Sequence, residues 1–318
     1  MQAQTAHLTR AAQVVKEQKS QAKEGSWYMP TPPAPHNKER PSTYFVQDRS
    51  NEEELARLHL QDQLITAGMG GVLPEQPNPT LFHHVLDIGC GTGGWLIEVA
   101  KTYPTISRLV GVDISKRMVD YAREQAKEQQ VDDRVEFAVM DALLLLEFPP
   151  DSFDLVNQRL ASSFLRTWDW PKLLSECQRV TRAGGVVRIT ECDIPLDSSS
   201  ESLNALEHLL LQALYHAGHF FSLESNGLTK ELARLLQQHG LRYVQTQQHP
   251  LLYRGGTLEG QTEAANLAYL YRTLQPFLRK WTRVPDDYQR IYQQMLQEVQ
   301  RSDFLFTWPL LTAWGTTP

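Results

Sequence analysis

Val85-Leu86-Asp87-Ile88-Gly89-Cys90-Gly91-Thr92-Gly93-Gly94-Trp95 is the stretch on which the reading turns. An apolar run suited to a buried strand ends in glycines, and an apolar segment with helical spacing follows. Glycines permit a tight turn and let a ligand approach the backbone closely. Gly89, Gly91 and Gly94 meet the G-x-G-x-x-G spacing of a dinucleotide fingerprint, a weak match on its own. Asp87, two residues before the first glycine, discriminates. A nicotinamide dinucleotide brings an anionic pyrophosphate to this turn, and a carboxylate there would repel it. An amino group or a sulfonium would be attracted instead. The turn therefore predicts a cationic ligand.

Working outward, two more acids continue the pattern. Asp113 closes Leu-Val-Gly-Val-Asp (109–113), where a carboxylate can accept from both hydroxyls of a ribose. Asp141 follows Phe-Ala-Val-Met (137–140) and can accept from the exocyclic amine of a base, with Met140 and Ile114 as apolar walls. One Asp at a strand end is ordinarily a cap or turn former. Three on successive strands, the first beside the glycine turn, favour a ligand. Strand candidates at 85–88, 109–112, 135–139, 153–156 and 186–190 alternate with helices at 95–102, 116–129 and 171–180, with Ser115 and Asp169 suited to cap the latter two. Near-continuous apolar strands separated by helices indicate a doubly wound α/β fold with a parallel sheet, whose ligands bind at the carboxyl ends of the strands.

Outside this block the chain changes character. Residues 1–24 are polar and helix-prone, residues 30–41 hold five prolines and read as a linker, and 51–67 reads as a helix capped by Asn51. Beyond 193, helices are expected at 203–217, 229–239 and 285–301, the last with Pro285 at its first position. Strand-like segments at 241–247 and 305–314 interrupt them.

Composition narrows the function classes. The 318 residues carry 31 Lys and Arg against 37 Asp and Glu, a net charge of −6 with no basic cluster, so a nucleic-acid partner is not expected. Three cysteines without C-x-x-C spacing read as reduced thiols of a cytoplasmic protein and provide no structural zinc site; no metal is expected. The most apolar run, 142–146, falls far short of the roughly 20 residues that span a bilayer, and the first residues lack the apolar core of a secretory signal.

The quoted turn, together with LVGVDIS (109–115), VEFAVMDA (135–142), FDLVNQRLASSFL (153–165) and LLSECQRVTRAGGVVRITECD (173–193), resembles the class I S-adenosyl-L-methionine (SAM) methyltransferases. Tyr44 with Glu54-x-x-Arg57-Leu58-x-x-Gln61 is similar to the helix before the core in bacterial small-molecule, secondary-metabolism members. Ala313-Trp314-Gly315 is similar to their last strand. The resemblance implies a Rossmann-like sheet of seven mostly parallel strands, the last antiparallel, with helical insertions at about 194–240 and 255–302 forming a lid. Residues 1–80 would be an arm, linker and cover helix, and 81–318 the catalytic domain. It also implies roles. Gly89, Cys90 and Gly91 would hold the methionyl part, with Asp87 near its amino group. Asp113, Ile114 and Met118 would flank the nucleoside, Asp141 and Ala142 the adenine. Asn157 would lie near the sulfonium, and Tyr44 and Gln61 near the carboxylate. The alternative for the cover is that Glu54, Arg57 and Gln61 form a solvated face with local pairing.

Acceptor chemistry is less legible. Arg159 could clamp an anionic acceptor or pair with Glu191 or Asp193, and His216 or His219 could act as a base. The expected activity is methyl transfer to an O, N or C atom of a small molecule, with S-adenosyl-L-homocysteine as product. A homodimer could form through the arm or the lid helices. Two alternatives stay open: a protein methyltransferase, and a SAM-binding protein that uses the cofactor for other chemistry or regulation. A nicotinamide oxidoreductase is disfavoured by Asp87, and the N/D-P-P-Y/F motif of some nucleic-acid and protein methyltransferases is absent at 157–160.

Overall fold

The computed structural model describes Tyr44 and residues 52–318; the arm, the linker and the Asn51 cap lie outside the described residues. Seven strands form one sheet in the order β3-β2-β1-β4-β5-β7-β6. β1 (His84–Ile88), β2 (Arg108–Asp113), β3 (Val135–Val139), β4 (Phe153–Arg159) and β5 (Thr181–Cys192) run parallel. β7 (Leu305–Thr316) is antiparallel to both neighbours, β5 and β6 (Arg242–Arg254). This is the expected Rossmann-like sheet with its reversed last strand.

Alternation along the strands builds two cores. Val85, Leu109, Phe137 and Leu155 face α2 (Gly94–Thr102) and α3 (Lys116–Glu128), whose Trp95, Leu96, Val119 and Ala122 complete one cluster. Leu86, Val110, Val156 and Val187 face the other way, onto α4 (Trp170–Val180) and its Leu173, Leu174 and Cys177. Apolar residues on both faces explain why these strands read as continuous runs.

Helix boundaries follow local chemistry. Ser115 caps α3, its Oγ accepting from the Met118 N–H at 3.5 Å. Asp169 stands at the cap position of α4, but its carboxylate turns back to accept from the Arg166 N–H at 3.1 Å. After β5 come α5 (Glu201–His216) and α6 (Leu232–Gln238). Between β6 and β7 come α7 (Leu258–Thr273), α8 (Gln275–Trp281) and α9 (Tyr288–Glu298). The expected Pro285 start of the last helix is corrected: α9 begins at Tyr288, with Pro285 in the preceding turn. β6 runs on past 247 because its pairing with β7 continues to Arg254. As the outer strand it tolerates Pro250. The cover helix α1 (Glu52–Gly68) packs on α2, α7 and β6.

Candidate active site

The glycine turn is fastened to the second strand. Gly89 and Cys90 both donate their N–H groups to the Val112 carbonyl, at 2.8 and 3.0 Å. Gly93, at φ 76°, has no room for a side chain: a Cβ there would lie 2.6 Å from the Phe137 ring. Gly91, at φ 52°, is the opposite case, since a Cβ would meet nothing within 4 Å. Its N–H donates to Asp113 at 3.0 Å, and the same carboxylate accepts from the Ser115 N–H at 2.8 Å. Asp113 thus ties the first turn to the second. Asp141 makes a similar turn, accepting from the Leu143 N–H at 3.0 Å. Beside these acids Ile114 keeps 36% exposure, Met118 is buried, and Met140 and Ala142 are half-buried against the core.

Asp87 belongs to a buried chain of polar groups. Asp87, Asn157 and Arg188 are register partners on β1, β4 and β5, so their side chains leave one face of the sheet side by side. The Asn157 amide donates to Asp87 at 2.7 Å and accepts from Arg188 Nη1 at 2.7 Å. Arg188, fully buried, holds Glu75 with two bonds, at 2.8 and 3.2 Å. Burial pushes the Asp87 carboxyl up to about 7 against the pull of Arg159 and the Asn157 hydrogen bond. Burial pushes Glu75 the same way, but the Arg188 charge together with the hydrogen bonds from Arg188 and Gln76 outweighs it and holds Glu75 below the usual range. Asn157 therefore stands behind Asp87 with both ends of its amide engaged. It carries no exposed surface.

The cover helix is not a solvated face. Glu54 and Arg57 are buried and form a bidentate pair, at 2.8 Å through both Nε and Nη2. The Tyr44 hydroxyl donates to Glu54 at 3.0 Å, Gln61 accepts from Arg57 at 3.1 Å, and Asn266 on α7 accepts from it at 3.1 Å. Tyr44 and Gln61 are thus engaged with Arg57 and its partner. The α1 residue that reaches the glycine turn is Asp62, against which a side chain at Gly94 would collide. Asp62 is ion-paired with Arg159, whose guanidinium lies 5.7 Å from the Trp95 ring centre.

That pairing corrects the expected partners of Arg159. Glu191 instead accepts from the Ala161 and Ser162 N–H groups at 2.6 and 3.2 Å, with burial raising it to about 7. Asp193 accepts from the Thr229 hydroxyl. Both histidines are engaged with backbone carbonyls. His219 Nδ1 lies 2.7 Å from the Leu165 carbonyl, and burial lowers the ring to about 4, so it is neutral at pH 7. His216 is exposed, its Nδ1 3.0 Å from the Trp281 carbonyl. Among the described residues no group of His, Cys, Asp and Glu could hold a metal ion, and no helix is long and apolar enough to cross a membrane.

Asp62, Glu75 and Arg188 were not singled out from the sequence. Arg188 had a signal, a charge inside the apolar strand Val-Val-Arg-Ile-Thr (186–190), because a buried charge demands a partner. Glu75 had none, since it lies in a Gly- and Pro-rich loop.

A mostly parallel sheet in this order, with a glycine turn after β1 and acids at the ends of β1 and β2 and just past β3, defines a Rossmann-like ligand-binding domain. Residues 85–185 match the family model described as a methyltransferase domain. The chain is 34% identical over 112 residues to a demethylmenaquinone methyltransferase of Lactiplantibacillus plantarum, covering 35% of this chain and 46% of that protein. It is 33% identical over 154 residues to the 27-O-demethylrifamycin SV methyltransferase of Amycolatopsis mediterranei, covering 48% and 53%. The matches thus span about half the length of these curated relatives. Among solved structures it is similar to a phosphoethanolamine N-methyltransferase of Haemonchus contortus in complex with SAM (TM-score 0.48, 21% identity, 88% of this chain and 60% of that one).

Proposed function

We propose that the chain transfers a methyl group from SAM to an O, N or C atom of a small organic molecule. The observation that carries this reading is the alignment of Asp87, Asp113 and Asp141 along the carboxyl edge of three adjacent strands, beside an open glycine turn. The residues suit the cofactor. Asp87 is a buried carboxyl whose burial cost a cation would relieve, which fits the cofactor's amino group. Gly91 offers open backbone to the methionyl part, with Gly89 and Cys90 beside it. Asp113 retains acceptor capacity for ribose hydroxyls, because a carboxylate accepts about four bonds. Ile114, Met118 and Ala142 supply apolar surface for the base, and Asp141 an acceptor for its amine. Bound SAM supplies a methyl group already activated on sulfur.

The protein's own part is positioning and exclusion of water. Asn157 holds Asp87 in place, with Arg188 and Glu75 behind it. Asp62 and Arg159, carried by α1 and β4, close the turn from above and leave Arg159 beside the acceptor side. The Tyr44–Glu54–Arg57–Gln61 network stiffens the cover helix. A small acceptor is supported by the names of the relatives and by the lid helices after β5 and between β6 and β7. We assign the chain to secondary metabolism in the cytoplasm, with residues 1–80 as cover and 81–318 as catalytic domain. A homodimer through the arm or lid helices belongs to the same reading.

Calorimetry with S-adenosylhomocysteine and with NAD tests it. Asp113→Ala is expected to weaken S-adenosylhomocysteine by about 1–3 kcal/mol, the range of hydrogen bonds to a charged group. Tight NAD binding without S-adenosylhomocysteine binding would overturn the reading.

A further inference from the structure

The sheet reverses its strand order between β1 and β4, so the crevice open to a ligand lies between the ends of those two strands. The glycine turn after β1 forms one wall. The turn after β4 forms the other. The two walls touch: a Cβ at Gly89, where φ is 68°, would lie 3.2 Å from Cζ of Phe164. The place of the Phe164 ring therefore sets the space left over the glycine turn.

The second wall cannot hold its shape alone. Leu160 sits at φ 56° and ψ 38°, in the left-handed region. A leucine stays there only where its surroundings fix it. Ala161–Ser163 follow as one 3-10 turn, whose leading N–H groups have no partner inside the turn. Glu191 on β5, with no exposed surface, supplies the acceptors. Its two carboxyl oxygens divide the work: one accepts from the Ala161 N–H at 2.6 Å, the other from the Ser162 N–H at 3.2 Å. The Thr190 carbonyl, on the same strand, accepts from the Leu160 N–H at 2.8 Å. Three successive N–H groups of the turn are thus fastened to the end of β5. Phe164 comes next, its N–H donating to the Ala161 carbonyl at 2.9 Å.

This differs from an ordinary cap. Ser115 and Ser200 cap α3 and α5 from within their own turns, with a neutral hydroxyl. At the turn after β4 the acceptor is a carboxyl on another strand, 30 residues along the chain from Ala161. Burying a carboxyl is costly. What it adds over a local hydroxyl is a fixed distance between the turn and the sheet.

We propose that Glu191 is a positioning residue for the cofactor crevice. It holds the turn after β4 against β5 and so sets the Phe164 ring beside Gly89, at the spacing a bound methionyl part needs. The proposal rests on the methyltransferase reading for the identity of that ligand only. Glu191 itself does not touch the ligand; it acts through Ala161, Ser162 and Phe164.

Calorimetry with S-adenosylhomocysteine and amide hydrogen exchange, both on the full chain, test the assignment. Glu191→Ala is expected to speed exchange of the Ala161 and Ser162 amides roughly tenfold or more. The same change should weaken S-adenosylhomocysteine about tenfold, as a displaced positioning group does. Glu191→Gln keeps one acceptor oxygen and should recover part of both losses. Phe164→Ala should weaken S-adenosylhomocysteine by a similar factor and leave the Ala161 and Ser162 amides protected. Adding Glu191→Gln to Phe164→Ala should weaken binding no further, because the two act in series. A carboxyl that served stability alone would lower the melting temperature without this failure to add. The proposal is overturned if both Glu191 variants bind S-adenosylhomocysteine like the wild type, or if the Glu191→Gln and Phe164→Ala losses multiply in full. A wild-type chain that does not bind S-adenosylhomocysteine would overturn the methyltransferase reading instead, and unchanged amide exchange in Glu191→Ala would overturn the anchoring of the turn whatever the ligand.

Discussion

Asp87 shows how one side chain can be legible in type and illegible in setting. Its place before the glycines predicts a cationic partner, but not the Asn157–Arg188–Glu75 chain behind it, which depends on strand register. Held at about 7 without ligand, Asp87 must ionise to meet the cofactor's ammonium. S-adenosylhomocysteine affinity is therefore expected to rise as pH climbs through 7, and Asp87→Asn to bind more weakly with that pH dependence gone. Calorimetry at pH 6 and pH 8 reads both. Arg188→Met leaves Glu75 buried without its partner and should cost about 3–5 kcal/mol in urea unfolding, whereas Arg188→Met with Glu75→Leu should cost less than the single change. Equal costs would mean that the pair contributes nothing specific.

Elements were readable where one periodicity ruled. The five parallel strands and the helices between them follow from apolar runs, caps and glycines, and their cores on both faces are local consequences of alternation. The helical insertions after β5 and between β6 and β7 are harder, because their helices pack on one another and bury polar residues such as Glu207 and Glu263. Glu54 and Arg57 look like a surface i,i+3 pair, but Asn266, 209 residues further along, makes them a buried contact. Another long-range tie fastens the start of α5 to α9. Ser200 Oγ accepts from the Leu203 N–H at 3.0 Å and donates to Glu298 on α9 at 2.6 Å. Ser200→Ala should cost about 1–2 kcal/mol as a lost cap. In a double-mutant cycle with Glu298→Ala the two effects should fail to add, because they share a bond. Full additivity would show that the helices are tied elsewhere.

For the molecule as a whole, the buried acids set a direction. Asp87 and Glu191 are raised to about 7, and Glu207 and Glu263 are raised as well. Between about pH 6.5 and 8.5 the folded chain keeps protons that the unfolded chain, titrating near 4, has released. Stability from these groups is complete below the unfolded values and is lost as pH rises through 7 and 8. His219, lowered to about 4, is neutral in the folded state, whereas the unfolded imidazole titrates near 6.5, so it opposes the trend only at the acid edge of this window. The melting temperature of the ligand-free chain is expected to fall by a few degrees from pH 6.5 to 8.5, and Glu207→Gln to flatten that slope. A rise with pH would mean that these carboxyls are ionised in the folded state.

The placement of β7 between β5 and β6 also governs how the molecule can be made. On the ribosome, β6 emerges before the strand it must pair with, and all of α7, α8 and α9 follow before that strand appears. The half of the sheet that holds the glycine turn can assemble early, from β1 to β5 and their helices. β6 must wait as an unpaired segment until β7 slides in antiparallel to both neighbours. A nascent chain halted before residue 305 would thus hold the glycine turn on a half-built sheet, and would leave one flank of that sheet open to foreign strands.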